Sequence, residues 1–204
     1  MKKIGIMGGT FDPIHYGHLI LAEQARDGVN LDQVIFIPAK MSPFKINQIT
    51  ASEQHRYTMV KLAIEKNKRF TLSDIELKGP EISYTVQTLK ACRDLFNEDV
   101  KIYFICGTDS FLSMESWREA KTIFNNFSLI VGSRPRYRDK ARDIMIKHLE
   151  STYHTEIQKI HMPKIDISST EIKKRIREDR SIKYLVPSCV EEYIYGNNLY
   201  RKLV

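Results

Sequence analysis

Two histidines stand three residues apart in a short segment that begins with a glycine pair, 8–18 (GGTFDPIHYGH). Side chains at this spacing face the same way on the first turn of a helix, so His15 and His18 would point together. The N–H groups and the dipole at a helix N-terminus attract anions, and adjacent glycines let a ligand approach the backbone closely. Two imidazoles at that position can donate hydrogen bonds to phosphate oxygens. The segment therefore predicts a phosphate site.

The residues of this segment alone leave two other interpretations open. A glycine pair is common at a simple turn from strand to helix, and the two histidines could form a metal pair if Asp12 supplied a third ligand. The segment differs from the GxGxxG loop of dinucleotide-binding folds and from the GxxxxGK[ST] loop of P-loop enzymes. A dehydrogenase and a P-loop NTPase are therefore both disfavoured.

A second candidate anion site lies near the C-terminus, at 167–173 (ISSTEIK). Ser168 and Glu171 have the spacing of a capping box, which predicts that a helix begins there and offers its N-terminal amides. Lys173 and Arg177 are four residues apart and would share one face of that helix. Such a site suits the triphosphate of a nucleotide. The alternative is a capped surface helix whose charges are simply solvated.

A third candidate is the sequence Gly107-Thr108-Asp109, which directly follows the apolar run 101–106 (KIYFIC). Open α/β sheets bind ligands at the carboxyl ends of their strands, and a carboxylate there can accept hydrogen bonds from a ribose or a base. Trp117 is the single tryptophan and could stack on a planar ring, although an isolated tryptophan is more commonly a core side chain.

The elements that must position these residues alternate along the chain, because short β-branched runs are followed by amphipathic stretches. This alternation is typical of βαβ units and a parallel sheet. We expect strands over 3–7, 33–38, 70–74, 101–106, 127–132 and 156–162. We expect helices over 16–27, 52–66, 83–96, 168–177 and 188–195, with a basic stretch continuing into a helix over 134–147. The prediction is an α/β, Rossmann-like core over 1–163 and a small helical C-terminal subdomain over 164–204.

The composition of the 204 residues excludes several classes of protein. Apolar residues at 42% and charged residues at 28% are ordinary globular values. No stretch approaches the roughly 18 apolar residues that span a bilayer, and the N-terminus lacks the apolar run of a secretory signal. Three widely spaced cysteines fit neither a disulfide framework nor a zinc module, so we expect a cytoplasmic protein. The net charge of +7 permits an anionic partner without identifying it.

The motifs taken in order resemble a known enzyme family. GTFDPIHYGH resembles the HxGH signature of the nucleotidyltransferase superfamily, and ISSTEIK resembles the ISSTxIR element of bacterial adenylyltransferases. Between and after them lie SYT (83–85), GTD (107–109), Trp117, VGSRP (131–135) and YLVP (184–187). This ordered set is similar to that of nicotinate-nucleotide adenylyltransferases over nearly the whole chain. The resemblance implies a nucleotidyltransferase fold and adenylyl transfer from ATP to nicotinate mononucleotide in NAD biosynthesis, with release of pyrophosphate.

The resemblance also implies roles for particular residues. The catalytic residues would be His15 and His18. The residues that contact ATP or its adenylyl group would be Gly8, Gly9, Thr10, Phe11, Gly107, Asp109, Ser168, Ser169, Thr170 and Lys173. The residues that contact the nicotinate nucleotide would be Lys45, Tyr84, Thr85, Trp117 and Arg134. No protein side chain would bind metal, and Mg²⁺ would be carried by the phosphates of ATP.

The sequence departs from the family pattern at two positions. The family commonly has PPHK where this chain has SPFK (42–45), so Phe44 replaces a histidine while Lys45 remains. Lys173 stands where arginine is usual, which keeps the charge but loses the bidentate fork. A KMS triplet at 40–42 echoes an element of the class I synthetases, but it lies too early in the chain and we attribute it to coincidence.

Two other functions compete with adenylyl transfer to nicotinate mononucleotide, and each would imply different partners. One is another small adenylyl- or cytidylyltransferase, such as the phosphopantetheine or glycerol-phosphate enzymes. The other is a basic nucleic-acid-binding protein, for which only 134–142 offers a faintly suitable stretch. We expect small phosphorylated partners, ATP and nicotinate mononucleotide, with no nucleic acid polymer and no membrane. The sequence leaves a homo-oligomer open.

Overall fold

Parallel strands form a single sheet in the computed structural model, which describes residues 1–43, 51–96, 99–133, 139–163 and 165–201. The strand order is β3-β2-β1-β4-β5-β6, and every neighbouring pair is parallel. The strands are β1 (Lys2–Gly9), β2 (Gln33–Pro38), β3 (Phe70–Leu72), β4 (Val100–Gly107), β5 (Ser128–Ser133) and β6 (Ile157–His161).

Helices connect these strands and cover both faces of the sheet. They are α1 (Tyr16–Val29), α2 (Glu53–Ile64), α3 (Thr85–Leu95), α4 (Thr108–Ser113), α5 (Ala120–Asn126), α6 (Asp139–Tyr153), α7 (Ser169–Arg177) and α8 (Ser188–Gly196), with a short 3₁₀ turn over Met114–Ser116. The predicted α/β fold with a parallel sheet is confirmed.

The apolar residues of the strands divide between two clusters, one on each face of the sheet. In β1, Ile4 and Ile6 face the cluster formed with α3, α5 and α6, whereas Met7 faces the cluster formed with α1, α2, α7 and α8. This division explains why the strands are nearly continuous apolar runs, since helices bury both faces of a parallel sheet. The apolar residues of α7 and α8 share a cluster with the sheet, so the C-terminal segment packs on the core. Its boundary at residue 163 stays a prediction.

One stretch differs from the sequence-based expectation. The sequence patterns predict no element between β4 and β5, yet this stretch contains α4, the 3₁₀ turn and α5. The two helices are only six and seven residues long, and α4 begins at Thr108 directly after the strand. Elements this short have too few turns to display a helical period, which is why pattern analysis misses them. Buried Phe111 and Ile123 nevertheless anchor both helices to the sheet.

The strand order creates a switch point between β1 and β4. From β1 the chain proceeds outward to β2 and β3, and from β4 it proceeds outward in the opposite direction to β5 and β6. The loops that follow β1 and β4 therefore diverge, and such sheets bind ligands in the crevice between them. The histidine segment begins with the last two residues of β1, and Gly107-Thr108-Asp109 begins with the last residue of β4. The fold thus places two sequence-predicted motifs beside one crevice.

Within the described ranges, no helix is both long and apolar enough to cross a membrane.

Close packing under the switch point predicts a stability effect at Gly5. A Cβ on Gly5 would lie 2.7 Å from Ile105 Cδ1 and 2.8 Å from Leu31 Cδ1, and both side chains are buried. Gly5→Ala should therefore lower the free energy of unfolding by about 1–3 kcal/mol, measured by urea denaturation. Adding Ile105→Val, which removes the Cδ1 atom, should recover part of the loss.

The matched control is Gly196→Ala at the end of α8, where a Cβ would meet no atom within 4 Å. Its effect should be a gain of up to about 1 kcal/mol, because alanine has the higher helix propensity. If Gly5→Ala unfolded at the same urea concentration as the parent chain, the close packing described here would be wrong.

Candidate functional site

The two histidines lie at the start of α1, as their spacing predicts. His15 is the N-cap residue, and its ring stacks on that of His18 with centroids 3.7 Å apart and planes inclined by 23°. The ring of Phe11 packs edge-on against His18 at 5.1 Å. His15 is only 1% exposed, whereas His18 is half-buried. Of the two rings, therefore, His18 presents the accessible surface and His15 supports it from behind.

Gly17 makes this stack feasible. A Cβ at that position would lie 3.0 Å from both Nδ1 and Cε1 of His15, closer than nine in ten real contacts of this kind. A larger residue between the histidines would displace the His15 ring from its place against the helix. The glycine of the HxGH pattern is therefore explained by packing inside the motif.

A backbone hydrogen bond sets the protonation pattern of His18. The N–H of His15 lies 3.3 Å from Nδ1 of His18 and donates to it. A ring nitrogen that accepts a hydrogen bond carries no hydrogen, so in the neutral ring the hydrogen resides on Nε2. His18 is thereby prepared to act as a donor through Nε2, which is the role that a phosphate oxygen requires.

Between Phe11 and Pro13 the loop buries a carboxylate, that of Asp12, whose side chain is fully inaccessible to solvent. Its Oδ2 lies 2.7 Å from Nζ of Lys173 on α7. Its Oδ1 accepts hydrogen bonds from the backbone N–H of Ala51 at 3.0 Å and from the Tyr200 hydroxyl at 2.8 Å. Burial and the adjacent carboxylate raise the pKa of the Tyr200 hydroxyl far above its ordinary value, so this group remains a donor.

Arg56 on α2 is a second buried charge next to this loop. Its guanidinium donates to four main-chain carbonyl oxygens of the described residues, those of Thr10 (2.9 Å), Ala39 (2.5 Å), Lys40 (2.7 Å) and Ala51 (3.2 Å). Burial lowers the pKa of this guanidinium, although the charge of Asp12 acts in the opposite direction. One side chain thus ties together the segments that follow β1 and β2.

The second motif meets the first directly. The Ser168 hydroxyl caps α7 by accepting from the N–H of Glu171 at 3.2 Å, so the predicted helix start is confirmed. The hydroxyl of Ser169 donates to the carbonyl oxygen of Pro13 at 2.9 Å. Two helix N-termini from opposite ends of the chain therefore lie against the same loop. Thr170, the next residue of the motif, is exposed.

Lys173 and Arg177, expected to share one face of α7 at an anion site, have different surroundings in the structure. Arg177 is exposed, but Lys173 is 9% exposed because its amine is directed toward Asp12. The pattern of α7 alone does not show which of its charged residues is buried. Lys173 is buried because Asp12 lies next to it in the folded chain. The role of Lys173 as a phosphate ligand stays a prediction.

Beside β1, the end of β4 is open. Gly107 caps α4, and a Cβ there would meet no atom within 4 Å. The buried Thr108 hydroxyl donates to the carbonyl oxygen of Gly132 at 3.0 Å, which joins the ends of β4 and β5. Asp109 is exposed in the first turn of α4. Among the residues that the structure describes, none packs closely above Gly107.

Two aromatic residues predicted to contact a nicotinate nucleotide border the same apolar cluster, although 33 positions separate them in the sequence. Trp117 packs edge-on against Phe104 of β4 at 6.1 Å, and its indole N–H donates to the Ser113 hydroxyl at 3.3 Å. The guanidinium of Arg118, the next residue, lies 4.6 Å from the ring centre of Tyr84. Both aromatic side chains are half-buried at the edge of one apolar cluster.

Hydrogen bonds fix the segment that carries Tyr84 and Thr85, at the start of α3. The Ser83 N–H donates to the carbonyl oxygen of Met41 at 2.9 Å, and the Ser83 hydroxyl accepts from the N–H of Lys40 at 3.0 Å. Glu76 accepts from the Thr88 hydroxyl on α3 at 2.5 Å, and burial raises the pKa of this carboxyl. The start of α3 is thereby attached to the segment that follows β2.

The structure thus brings together the histidine segment, the start of α7 and the end of β4 at one edge of the sheet. Lys45 and Arg134, two further predicted nucleotide contacts, lie outside the described residues, as does Phe44. Sequence analysis missed Arg56 and Tyr200 as parts of the site, and it considered Asp12 only as a metal ligand. No local pattern marks them, because each acts through partners that are distant in sequence. Within the described residues, no group of three or more histidine, cysteine, aspartate and glutamate side chains could hold a metal ion.

Comparison with known proteins identifies relatives that align with this chain over nearly their whole length. Residues 6–175 match the family model described as cytidylyltransferase-like. A Clostridium beijerinckii protein named probable nicotinate-nucleotide adenylyltransferase is 41% identical over 205 residues, which cover 98% of this chain and 100% of the relative. A Thermoanaerobacter protein of the same name is 38% identical over 200 residues, covering 98% and 95%.

Solved structures show the same fold. The nicotinic acid mononucleotide adenylyltransferase of Plasmodium falciparum complexed with NaAD has a TM-score of 0.80 at 22% identity, covering 98% of both chains. The same protein complexed with APC has a TM-score of 0.78 at 21% identity, with equal coverage. At this level of identity the agreement concerns the arrangement of the backbone.

The four hydrogen bonds of the Arg56 guanidinium, here called the Arg56 clamp, predict that Arg56→Lys lowers the stability of the protein. Lysine keeps the charge, but its single nitrogen cannot reach four carbonyl oxygens that the guanidinium fork satisfies. We expect the free energy of unfolding to fall by about 2–4 kcal/mol in urea denaturation. The control is Arg69→Lys, an exposed arginine with a 3.3 Å bond to the Asp32 carbonyl, which should cost less than about 0.5 kcal/mol. Equal losses for both variants would contradict the clamp.

Proposed function

Because the chain belongs to the nicotinate-nucleotide adenylyltransferase family, we propose that it transfers the adenylyl group of ATP to nicotinate mononucleotide. The products are nicotinate adenine dinucleotide and pyrophosphate. The observation that carries the proposal is the junction of the two motifs, since the Ser169 hydroxyl donates to the Pro13 carbonyl beside the His15–His18 stack. Two helix N-termini at one switch point suit a reaction between two phosphorylated molecules.

The chemistry requires positioning more than acid–base catalysis. The 5′-phosphate of nicotinate mononucleotide is already an anion and attacks the α-phosphorus of ATP in line, while the bond to pyrophosphate breaks. Neither a general base nor a covalent enzyme intermediate is needed. The protein holds two strongly charged reactants together and stabilises the charge that develops on the phosphorus oxygens.

We assign the central stabilising role to His18. It is the more accessible ring of the stack, and its Nδ1 accepts from the His15 N–H, so its hydrogen lies on Nε2. His15 holds the His18 ring in place by stacking, and Phe11 confines it from the side. We also assign to ATP the half-buried Gly8 and Gly9 at the end of β1 and Thr10, which follows the strand.

The remaining ATP contacts come from two places. The start of α7 offers Ser168, Ser169 and Thr170 to the phosphates through amides and hydroxyls. Gly107 and Asp109 lie at the open end of β4 and suit the adenosine part. Mg²⁺ enters as part of the substrate, held by the ATP phosphates and water. We assign Lys45 to the nicotinate nucleotide and not to ATP.

For the nicotinate nucleotide we propose the surface formed by Tyr84, Thr85 and Trp117, together with Arg134. The Arg118 guanidinium over Tyr84 and the edge-on packing of Trp117 on Phe104 hold the two aromatic side chains at one border of the apolar cluster. A half-buried indole there can stack on the pyridine ring. Preference for the acid over the amide nucleotide rests on the family, and we expect the protein to act in the cytoplasm.

Pyrophosphate release tests the function. The purified protein should release pyrophosphate with ATP and nicotinate mononucleotide and should do so more slowly with nicotinamide mononucleotide. Equal rates would refute the preference for the acid, and faster release with CTP, or with phosphopantetheine or glycerol 3-phosphate as acceptor, would assign a different transferase. No release with any pair would remove the proposal.

His18→Ala should lower turnover by roughly 10²–10³, the cost typical of losing one donor to the transition state. The affinity for nicotinate mononucleotide, measured by titration, should change little because the donor acts on the transferred phosphoryl group. His148→Ala is the matched control, since His148 is an exposed residue of α6 whose ring lies 3.2 Å from Glu115. Turnover of His18→Ala within threefold of the parent would exclude the role given to His18.

A further inference from the structure

Three segments that are far apart in the chain converge on the carboxylate of Asp12. Lys173 contributes an ammonium group from α7, Tyr200 contributes a hydroxyl from the end of the described chain, and Ala51 contributes a backbone N–H from the segment before α2. The carboxylate has no exposed surface. The bond from Lys173 would have to break for the loop between β1 and α1 to move away from α7, and the other two bonds attach the same loop to the segments around residues 51 and 200.

The ammonium group of Lys173 is committed to this carboxylate. The lysine side chain is 11% exposed, and its nitrogen lies 2.7 Å from Asp12 Oδ2. A buried carboxylate deprived of its counterion is strongly unfavourable, so a lysine that turned toward a phosphate would leave a large cost behind. Arg56 does not replace it, because its four hydrogen bonds go to main-chain carbonyl oxygens.

The pair also lies where it can set the geometry of the site. Asp12 is three residues before His15 and adjacent to Pro13, whose carbonyl oxygen accepts from Ser169 at 2.9 Å. Lys173 lies one turn along α7 from that serine. The distance between the His15–His18 stack and the start of α7 is therefore fixed at two adjoining points, one of them a buried ion pair.

From this geometry we infer that Asp12, Lys173 and Tyr200 are positioning residues for the transfer, and that Lys173 acts by holding Asp12 and not by binding ATP phosphate. The inference rests on the proposed function. It assigns to Lys173 a role other than the one its place in the ISSTEIK motif suggests. It also gives the C-terminal segment a part in catalysis through the Tyr200 hydroxyl.

A double-mutant cycle separates the two roles of Lys173. Steady-state kinetics would be measured for Asp12→Asn, Lys173→Met and the double variant, with Lys174→Met, an exposed neighbour on α7, as the control. We expect each single change to lower kcat about 10- to 100-fold with the KM for ATP within about threefold, as misplacement of reactants does. The double variant should be no slower than the slower single variant, because both changes break one interaction.

Lysine bound to phosphate would give a different pattern. Lys173→Met would then raise the KM for ATP at least tenfold, and its effect would multiply with that of Asp12→Asn. Lys173→Arg adds a second discriminator: a positioning role predicts an unchanged KM for ATP with kcat within about threefold, whereas a phosphate ligand would bind ATP more tightly through its fork. Multiplying effects or a lowered KM would overturn the inference.

Tyr200→Phe keeps the inference testable if the buried charge variants fail to fold. Removing one hydroxyl should lower kcat about three- to tenfold without changing the KM for ATP, while Tyr195→Phe on α8 should leave both unchanged. Thermal unfolding of each variant establishes that it is folded at the assay temperature. An unaltered kcat for Tyr200→Phe would overturn its positioning role.

A failure of the proposed function is recognised separately. In that event the parent chain releases no pyrophosphate from ATP and nicotinate mononucleotide. The variants of the double-mutant cycle are then compared by their affinity for a non-hydrolysable ATP analogue, measured by calorimetry. The inference predicts that Lys173→Met and Lys173→Arg bind this analogue within about threefold of the parent chain, and a tenfold change in either direction would contradict it.

Discussion

The site depends on a buried ion pair between two residues that are 161 positions apart, Asp12 in the loop after β1 and Lys173 on α7. A carboxylate without solvent access requires a cation and hydrogen bonds, and here the chain supplies them from its C-terminal segment. Because the same loop also accepts a bond from Ser169 through Pro13, the pair joins two helix N-termini into one surface. The sheet supplies the switch point, and the ion pair holds the loop after β1 against α7.

This arrangement matches the demands of adenylyl transfer. Two polyanionic reactants repel each other, so a catalyst gains most from amides and imidazoles that are already in place before the reactants arrive. The His15–His18 stack is such a group, since Gly17 leaves room for one ring and a backbone N–H orients the other. Arg56 performs the corresponding task for the main chain by binding the segments after β1 and β2.

Local sequence patterns were sufficient for much of this. The i, i+3 spacing of His15 and His18 and the Ser168 cap depend on neighbouring residues, so the sequence alone predicts both. The short helices α4 and α5 contain too few turns to show a period. The burial of Lys173 could not be predicted from its helix, since its partner comes from the other end of the chain. Arg56 and Tyr200 were missed for the same reason.

The most direct test of this account is a crystal structure of the chain with a non-hydrolysable ATP analogue. The account predicts that the triphosphate lies between His18 and the residues 168–170 at the start of α7, with His18 Nε2 within hydrogen-bond distance of a phosphate oxygen. It also predicts that Lys173 Nζ remains bound to Asp12, as in the 2.7 Å contact described here. A triphosphate bound elsewhere, or a Lys173 amine transferred from Asp12 to the phosphates, would contradict it.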